Sequence, residues 1–235
     1  MAFYDEWKKE PLNKLYLSSF LKQEEESVLP LLTGTPEEIR EIIILLLSIP
    51  VENYIDSIED INYEIESHMI PQFSNFEHAI STVALAVESH DEDLGFMELG
   101  GIIMGSKMAG AREKYGENQA KIAKECSYVY FEMKNRKNIV KLTSLGKVST
   151  CLELNMNLEL CKRLLLRNEL VRKLLFEAKK GKIEYNKIAS CLKPSTLERR
   201  RSNVKYIVLE ILKNSKYENL NNNIEAVYIY NSFCC

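Results

Sequence analysis

The side chains in this sequence with the clearest chemical meaning are cationic. Arg199, Arg200 and Arg201 stand in a row, with Thr196 before them and Asn203 and Lys205 after. A guanidinium presents a planar fork of donors that fits phosphate or the O6/N7 edge of guanine. Three consecutive arginines cannot share one helix face, because each residue turns the direction by about 100°. Arg199 and Arg200, assisted by Thr196 and Lys205, are therefore expected near DNA, and Arg201 counts with them as a DNA-binding residue. At least one of the three must point back toward the protein or sideways to phosphate. A second group, Lys107, Arg112, Lys114, Asn118, Gln119, Lys121 and Lys124, lies in or just before a helix expected to start near Gly116. There Asn and Gln could read adenine while the cations hold phosphate. Lys134, Arg136, Lys137 and Lys141 surround a β-prone run at 138–143 and would follow the DNA backbone from a wing. The alternative for every group is an ordinary solvated basic surface.

Other constellations are thinner. Glu132 and Lys134, with Asp91 or Asp93, could form the Asp...Glu-x-Lys site of a Mg²⁺-dependent restriction nuclease. His68, His78 and His90 are the only histidines, and His90 lies in the acidic stretch 88–93. The six cysteines, at 126, 151, 161, 191, 234 and 235, form no Cys-x-x-Cys pair and have no histidine at ligand spacing, which argues against a zinc site. They read as small core residues of a reducing compartment, with Cys234 and Cys235 reactive if exposed. No phosphate loop, dinucleotide fingerprint, His-Glu-x-x-His or Gly-x-Ser-x-Gly occurs, so no cofactor is expected.

Charge is distributed unevenly. Residues 1–100 carry 5 basic and 21 acidic side chains, a balance of −16, whereas 101–235 carry 26 and 13, a balance of +13. Such asymmetry points to a nucleic-acid surface in the basic half. The acidic half would face a basic protein partner, attract the other half, or simply be solvated. No apolar run approaches the roughly 20 residues of a membrane span, and the opening residues lack the pattern of an export signal. A soluble cytoplasmic protein is expected.

These residues need elements to position them. Thr35 as N-cap, Pro36 at the first helical position and Glu37-Glu38 in the first turn start a helix that Pro50 ends. Two short helices are expected within 4–22 and amphipathic turns within 51–70. Helices at 76–87, 94–104 and 120–134, then the 138–143 strand, compose one helix-turn-helix with a wing. Apolar helices at 158–166 and 170–178, a short helix at 184–192 and a capping box at Ser195-Thr196-Leu197-Glu198 repeat the plan. A β-prone run at 226–230 is the second wing strand. The expected architecture is mainly α: an acidic helical region (1–73) followed by two winged-helix units (74–150 and 151–235), with the 158–175 leucines as a possible homodimer interface.

The stretch 76–212 resembles the paired winged-helix regions of some bacterial restriction and phage-defence proteins. The resemblance rests on Lys-Tyr-Gly-Glu-Asn-Gln-Ala-Lys (114–121), Lys-Leu-Thr-Ser-Leu-Gly-Lys (141–147) and Ser-Thr-Leu-Glu-Arg-Arg-Arg (195–201). It implies a non-catalytic double-stranded DNA-binding protein, an accessory or specificity component or a transcription regulator, with the chemistry in a separate domain or subunit. A protein-interaction scaffold and the Mg²⁺-dependent nuclease are the other functions expected from the residues.

Overall fold

Thr35 and Glu38 start the best-marked helix of the N-terminal region. The Glu38 amide donates to Thr35 Oγ1 (3.3 Å) and the Thr35 amide to Glu38 Oε2 (2.8 Å). This reciprocal box satisfies two amides that the first turn leaves without partners. Helix α3 (Pro36–Ser48) follows, burying Ile39, Ile42, Ile43 and Leu46 on one stripe, the spacing of an amphipathic helix. Before it lie α1 (Lys14–Leu21) and α2 (Glu25–Thr33); after it lies α4 (Val51–Asp56). The sequence did not mark α2, because Pro30 reads as a breaker; burial of Ser27 and Leu31 holds the helix around it. The computed structural model describes residues 14–23, 25–61, 66, 70–73, 75–90, 92–104, 109–180 and 194–220, with side chains except at 14–16, 25–26, 109, 194–199 and 201.

The middle of the chain is built around a small sheet. A π-turn (His78–Thr82) runs into α5 (Val83–Glu88), then come β1 (Leu94–Gly95), α6 (Phe96–Met104), α7 (Ala109–Glu125), β2 (Val129–Lys134) and β3 (Lys137–Leu142). The sheet has the order β1-β3-β2 and is antiparallel throughout, pairing Leu94 with Val140 and running from Val129↔Leu142 to Lys134↔Lys137. Two expectations change here. The helix placed at 120–134 ends at Glu125, and Val129-Tyr130-Phe131, β-branched and aromatic, pair as a strand instead. Its start lies well before Gly116, whose backbone packs against Phe96 rather than opening a helix.

Helix α8 (Ser144–Ser149) is capped by Thr143, whose Oγ1 accepts from the Gly146 amide (2.9 Å) and donates to the Ser127 carbonyl (2.6 Å). Then α9 (Leu154–Leu165) and α10 (Glu169–Lys179) bury leucine-rich stripes, and α11 (Pro194–Leu212) buries Val204, Ile207, Val208, Ile211 and Leu212. The expected helix at 184–192 and the strand at 226–230 lie outside the described residues.

A continuous core joins these parts, from Leu17 and Phe20 of α1 to Val208 and Leu212 of α11. Polar side chains fasten it. Asn157 Nδ2 donates to the Ile80 carbonyl (3.0 Å), and Tyr128 donates to Asn157 Oδ1. Arg163, almost fully buried, donates from Nη1 to the Glu159 carbonyl and from Nε and Nη2 to the Ile49 carbonyl, just beyond α3. Arg167, 2% exposed, donates from Nη2 to Gln23 and Ser127, and burial lowers its pKa to about 10. Among the described residues the fold is mainly helical with one three-stranded sheet, and no helix is long and apolar enough to cross a membrane.

Candidate nucleic-acid interface

The β2–β3 hairpin turns through Asn135 and Arg136, both at positive φ (50° and 62°). Two central residues at positive φ are the signature of the type I′ turn, whose twist matches paired strands and which Asn-Gly fills most easily. Here Arg136 takes the glycine position, and Lys137 follows; both are exposed and, among the described residues, neither forms an ion pair. The turn thus projects two cations from the sheet. Farther down, both lysines flanking the hairpin are engaged: Lys134 and Lys141 bond to the two oxygens of Asp93. Hydrogen bonds from Lys134 and then Lys141 hold the Asp93 carboxyl at about 2, well below its ordinary value.

Helix α7 presents Lys114, Lys121 and Lys124 to solvent. Lys114 and Lys121 flank Glu117 and bond to its two oxygens, so this part of the face carries one net positive charge rather than two. Lys124 Nζ stands 5.1 Å from the ring centre of Phe131, a cation–π contact. The expected adenine readers are corrected. Asn118 is 7% exposed and Gln119 is fully enclosed, because they fall on the stripe with Ala120, Ile122 and Ala123 that packs on the core. Gln119 hydrogen-bonds Tyr115, which pairs with His78 Nδ1 at 2.8 Å. Arg112 is half-buried, its side chain lying against Gly101 of α6 instead of projecting outward. Lys107 lies outside the described residues.

On α11, the side chains of Thr196, Arg199 and Arg201 lie outside the described set, while Arg200 and Lys205 are half-buried. Asn203 donates to the Phe73 carbonyl, an internal contact, beside a cluster of Phe73, Phe76 and Tyr206 whose ring centres are 5.4–6.1 Å apart. Arg200 nonetheless meets the first group. With Lys121, Lys124 and Phe131 it lines a cleft of about 650 Å³ between the C-terminal turns of α7, strand β2 and the 70–72 segment. Nothing in the sequence joined residues 121 and 200; the tertiary packing sets them around one cleft.

Several of the remaining cations meet the acidic half. Lys180 pairs with Asp60 (3.3 Å), Lys216 with Asp56 (2.9 Å), and the Lys216 amide with Glu52 (3.1 Å). Tyr217 donates to Asp56. The basic half is therefore partly neutralised within the molecule. Asp93 and Lys134 do meet, as a nuclease would require, but Lys141 joins them, and two ammonium groups occupy the carboxylate that a divalent ion would need. Among the described residues no three His, Cys, Asp or Glu side chains converge as metal ligands. His90 Nδ1 bonds to the Ala86 carbonyl at the end of α5 (2.8 Å), a helix-capping contact.

Asp93 and Phe131 are the site residues that sequence reasoning missed in these roles. The sequence set Asp93 beside Lys134 only as part of a Mg²⁺ site; Lys141, 48 residues away, was not joined to it, and the register of the sheet brings both lysines to the one carboxylate. No known protein family, curated protein or solved structure matches this chain.

Proposed function

We propose that residues 75–150 form a winged-helix module that binds double-stranded DNA, with α7 lying toward the groove and the β2–β3 hairpin as the wing. The succession helix, strand, helix, helix, strand, strand, with the first strand paired to the last, supports this reading. The observation that carries it is the hairpin tip, where Arg136 is held in a left-handed conformation that glycine would fill without strain. A cation kept in that position at the end of an exposed ribbon suits a phosphate contact. With Asn118 and Gln119 enclosed, the module rests on Lys114, Lys121, Lys124, Arg136 and Lys137, and phosphate contacts position a protein without reading sequence. Its intrinsic DNA binding is of low sequence specificity. This fits an accessory component of a restriction or phage-defence system better than a regulator of one operator.

Fluorescence anisotropy on a labelled duplex across a salt series tests the reading. Binding should weaken steeply as salt rises, and the Arg136→Ala/Lys137→Ala double variant should reduce the log–log slope by about two. Absence of binding at low salt, or an unchanged slope in that variant, would remove the proposal. A scaffold role is the second reading. It draws on Met97, Ile102 and Met104, which α6 leaves exposed, and on the internal pairing of Lys180 and Lys216. Stable co-purification with a protein partner, lost in Met97→Lys/Met104→Lys, would favour it.

A further inference from the structure

Where Phe73 and Phe76 meet α11, three aromatic rings floor a hollow of about 360 Å³, within the size range of small-molecule pockets. The ring centres of Phe73, Phe76 and Tyr206 stand 5.4–6.1 Å apart. That spacing is direct ring-to-ring contact, so an occupant lies over the outer side of the cluster. There Phe73 is half-buried and Tyr206 is 45% exposed. Asn203 of α11 donates to the Phe73 carbonyl and pins the two sides of the hollow together. Among the described residues no lysine, arginine or histidine lines it. Its one charged side chain is Glu77, which is exposed and, among the described residues, forms no ion pair. The charge reaches the aromatic floor: burial raises the Tyr206 phenol above its ordinary pKa, and the Glu210 and Glu77 carboxylates raise it further. Glu210 already holds Lys213 (3.8 Å), so Glu77 supplies the uncompensated charge.

Ring faces beside an unpaired carboxylate attract cations and repel anions. A metal ion or a primary ammonium holds its water tightly and would have to shed it here. A quaternary ammonium is weakly hydrated, donates no hydrogen bonds, and spreads its charge over methyl groups that pack on a ring. The geometry points to a binding site for a small monocationic quaternary ammonium of the choline class. Its trimethylammonium group lies on the exposed faces of Tyr206 and Phe73, with its charge toward Glu77. A zwitterion such as phosphocholine fits poorly, because its phosphate would approach Glu77 with no cation in the lining to meet it.

Isothermal titration of the full chain with choline, without DNA, tests the site. The neutral isostere 3,3-dimethylbutan-1-ol has the same shape without the charge and should bind about tenfold more weakly or worse. Tyr206→Leu should weaken choline binding about tenfold, Tyr206→Phe should change it little, and Glu77→Gln should weaken it about threefold. Melting temperatures show whether each variant is folded; should Tyr206→Leu fail to fold, the neutral alcohol and the exposed Glu77→Gln change decide. No binding at millimolar choline, undiminished affinity in folded Tyr206→Leu, or phosphocholine or the neutral alcohol binding as tightly as choline would each overturn the assignment. Unchanged affinity in Glu77→Gln would remove the carboxylate from the site and with it the selection for a monocation. None of these residues belongs to the proposed DNA face, so failure of the site leaves the winged-helix proposal standing.

Discussion

Arg136 combines conformational strain with exposed charge. A left-handed conformation costs an ordinary L-residue roughly 1 kcal/mol, and glycine avoids that cost while losing more chain entropy on folding. Arg136→Gly is therefore expected to leave stability unchanged or raise it by up to about 1 kcal/mol, while weakening duplex binding. Thermal melts paired with salt titrations check both; a binding loss accompanied by a lower melting temperature would mean that the arginine supports the turn instead. Asp93 does the opposite work, neutralising the lysines that flank the same hairpin. Asp93→Asn should return two ammonium groups to the surface and steepen the salt dependence of DNA binding by about one or more. The pH dependence follows from the lowered carboxyl pKa. Its contribution to stability is fully present above the ordinary aspartate value and is lost as pH falls from near 4 towards about 2. The stability difference between parent and Asp93→Asn should be constant near neutral pH and vanish across that acidic window.

At the scale of elements, the decisive contact is between α6 and α7. A Cβ on Gly100 would lie 1.8 Å from the Arg112 carbonyl oxygen, and one on Gly116 2.0 Å from that of Phe96. Both obstacles are backbone, so the helices would have to separate. Helix propensity favours alanine over glycine by about 1 kcal/mol, and here packing must outweigh it. Gly116→Ala should cost at least about 2 kcal/mol, whereas Gly110→Ala, with nothing within 4 Å of its Cβ position, should gain about 0.5–1 kcal/mol. Urea midpoints of the two variants, shifted in opposite directions, would confirm that close approach holds the pair. The same contact explains the misplaced start of α7. A glycine among polar residues reads locally as a break, yet Gly116 sits mid-helix because another backbone needs the space.

Across the whole molecule, the two oppositely charged halves are joined mainly by burial and only secondarily by charge. Lys180–Asp60 and Lys216–Asp56 are exposed pairs, each worth at most about 1 kcal/mol. Arg163 is different. Its guanidinium satisfies the carbonyls of Leu47 and Ile49 at the end of α3 from a helix more than a hundred residues later. Arg163→Met keeps an unbranched apolar stem and removes the donors, so it should cost about 2–4 kcal/mol by stranding the carbonyls. Chemical denaturation should register that loss, while Asp56→Asn should change little beyond about 0.5 kcal/mol. A small effect of Arg163→Met would mean that water replaces the guanidinium at those carbonyls.

Features whose causes lie within a few residues were legible in the chain before any fold was known. Thr35, Pro36 and Glu38 announce α3, apolar spacing announces α9 and α10, and β-prone residues at 138–142 announce the strand that centres the sheet. The chain also showed where the cations are concentrated. The tertiary structure alone decided what those cations can touch. Asn118 and Gln119 are polar and stand between lysines, but a helix has one inner face, and the packing of α7 turned that face to include them. Asp93 meets Lys134 and Lys141, and Arg200 shares a cleft with Lys121, because strands and helices remote in sequence share one core. Burial and ion pairing depend on which surfaces come together, and no local pattern of residues records that.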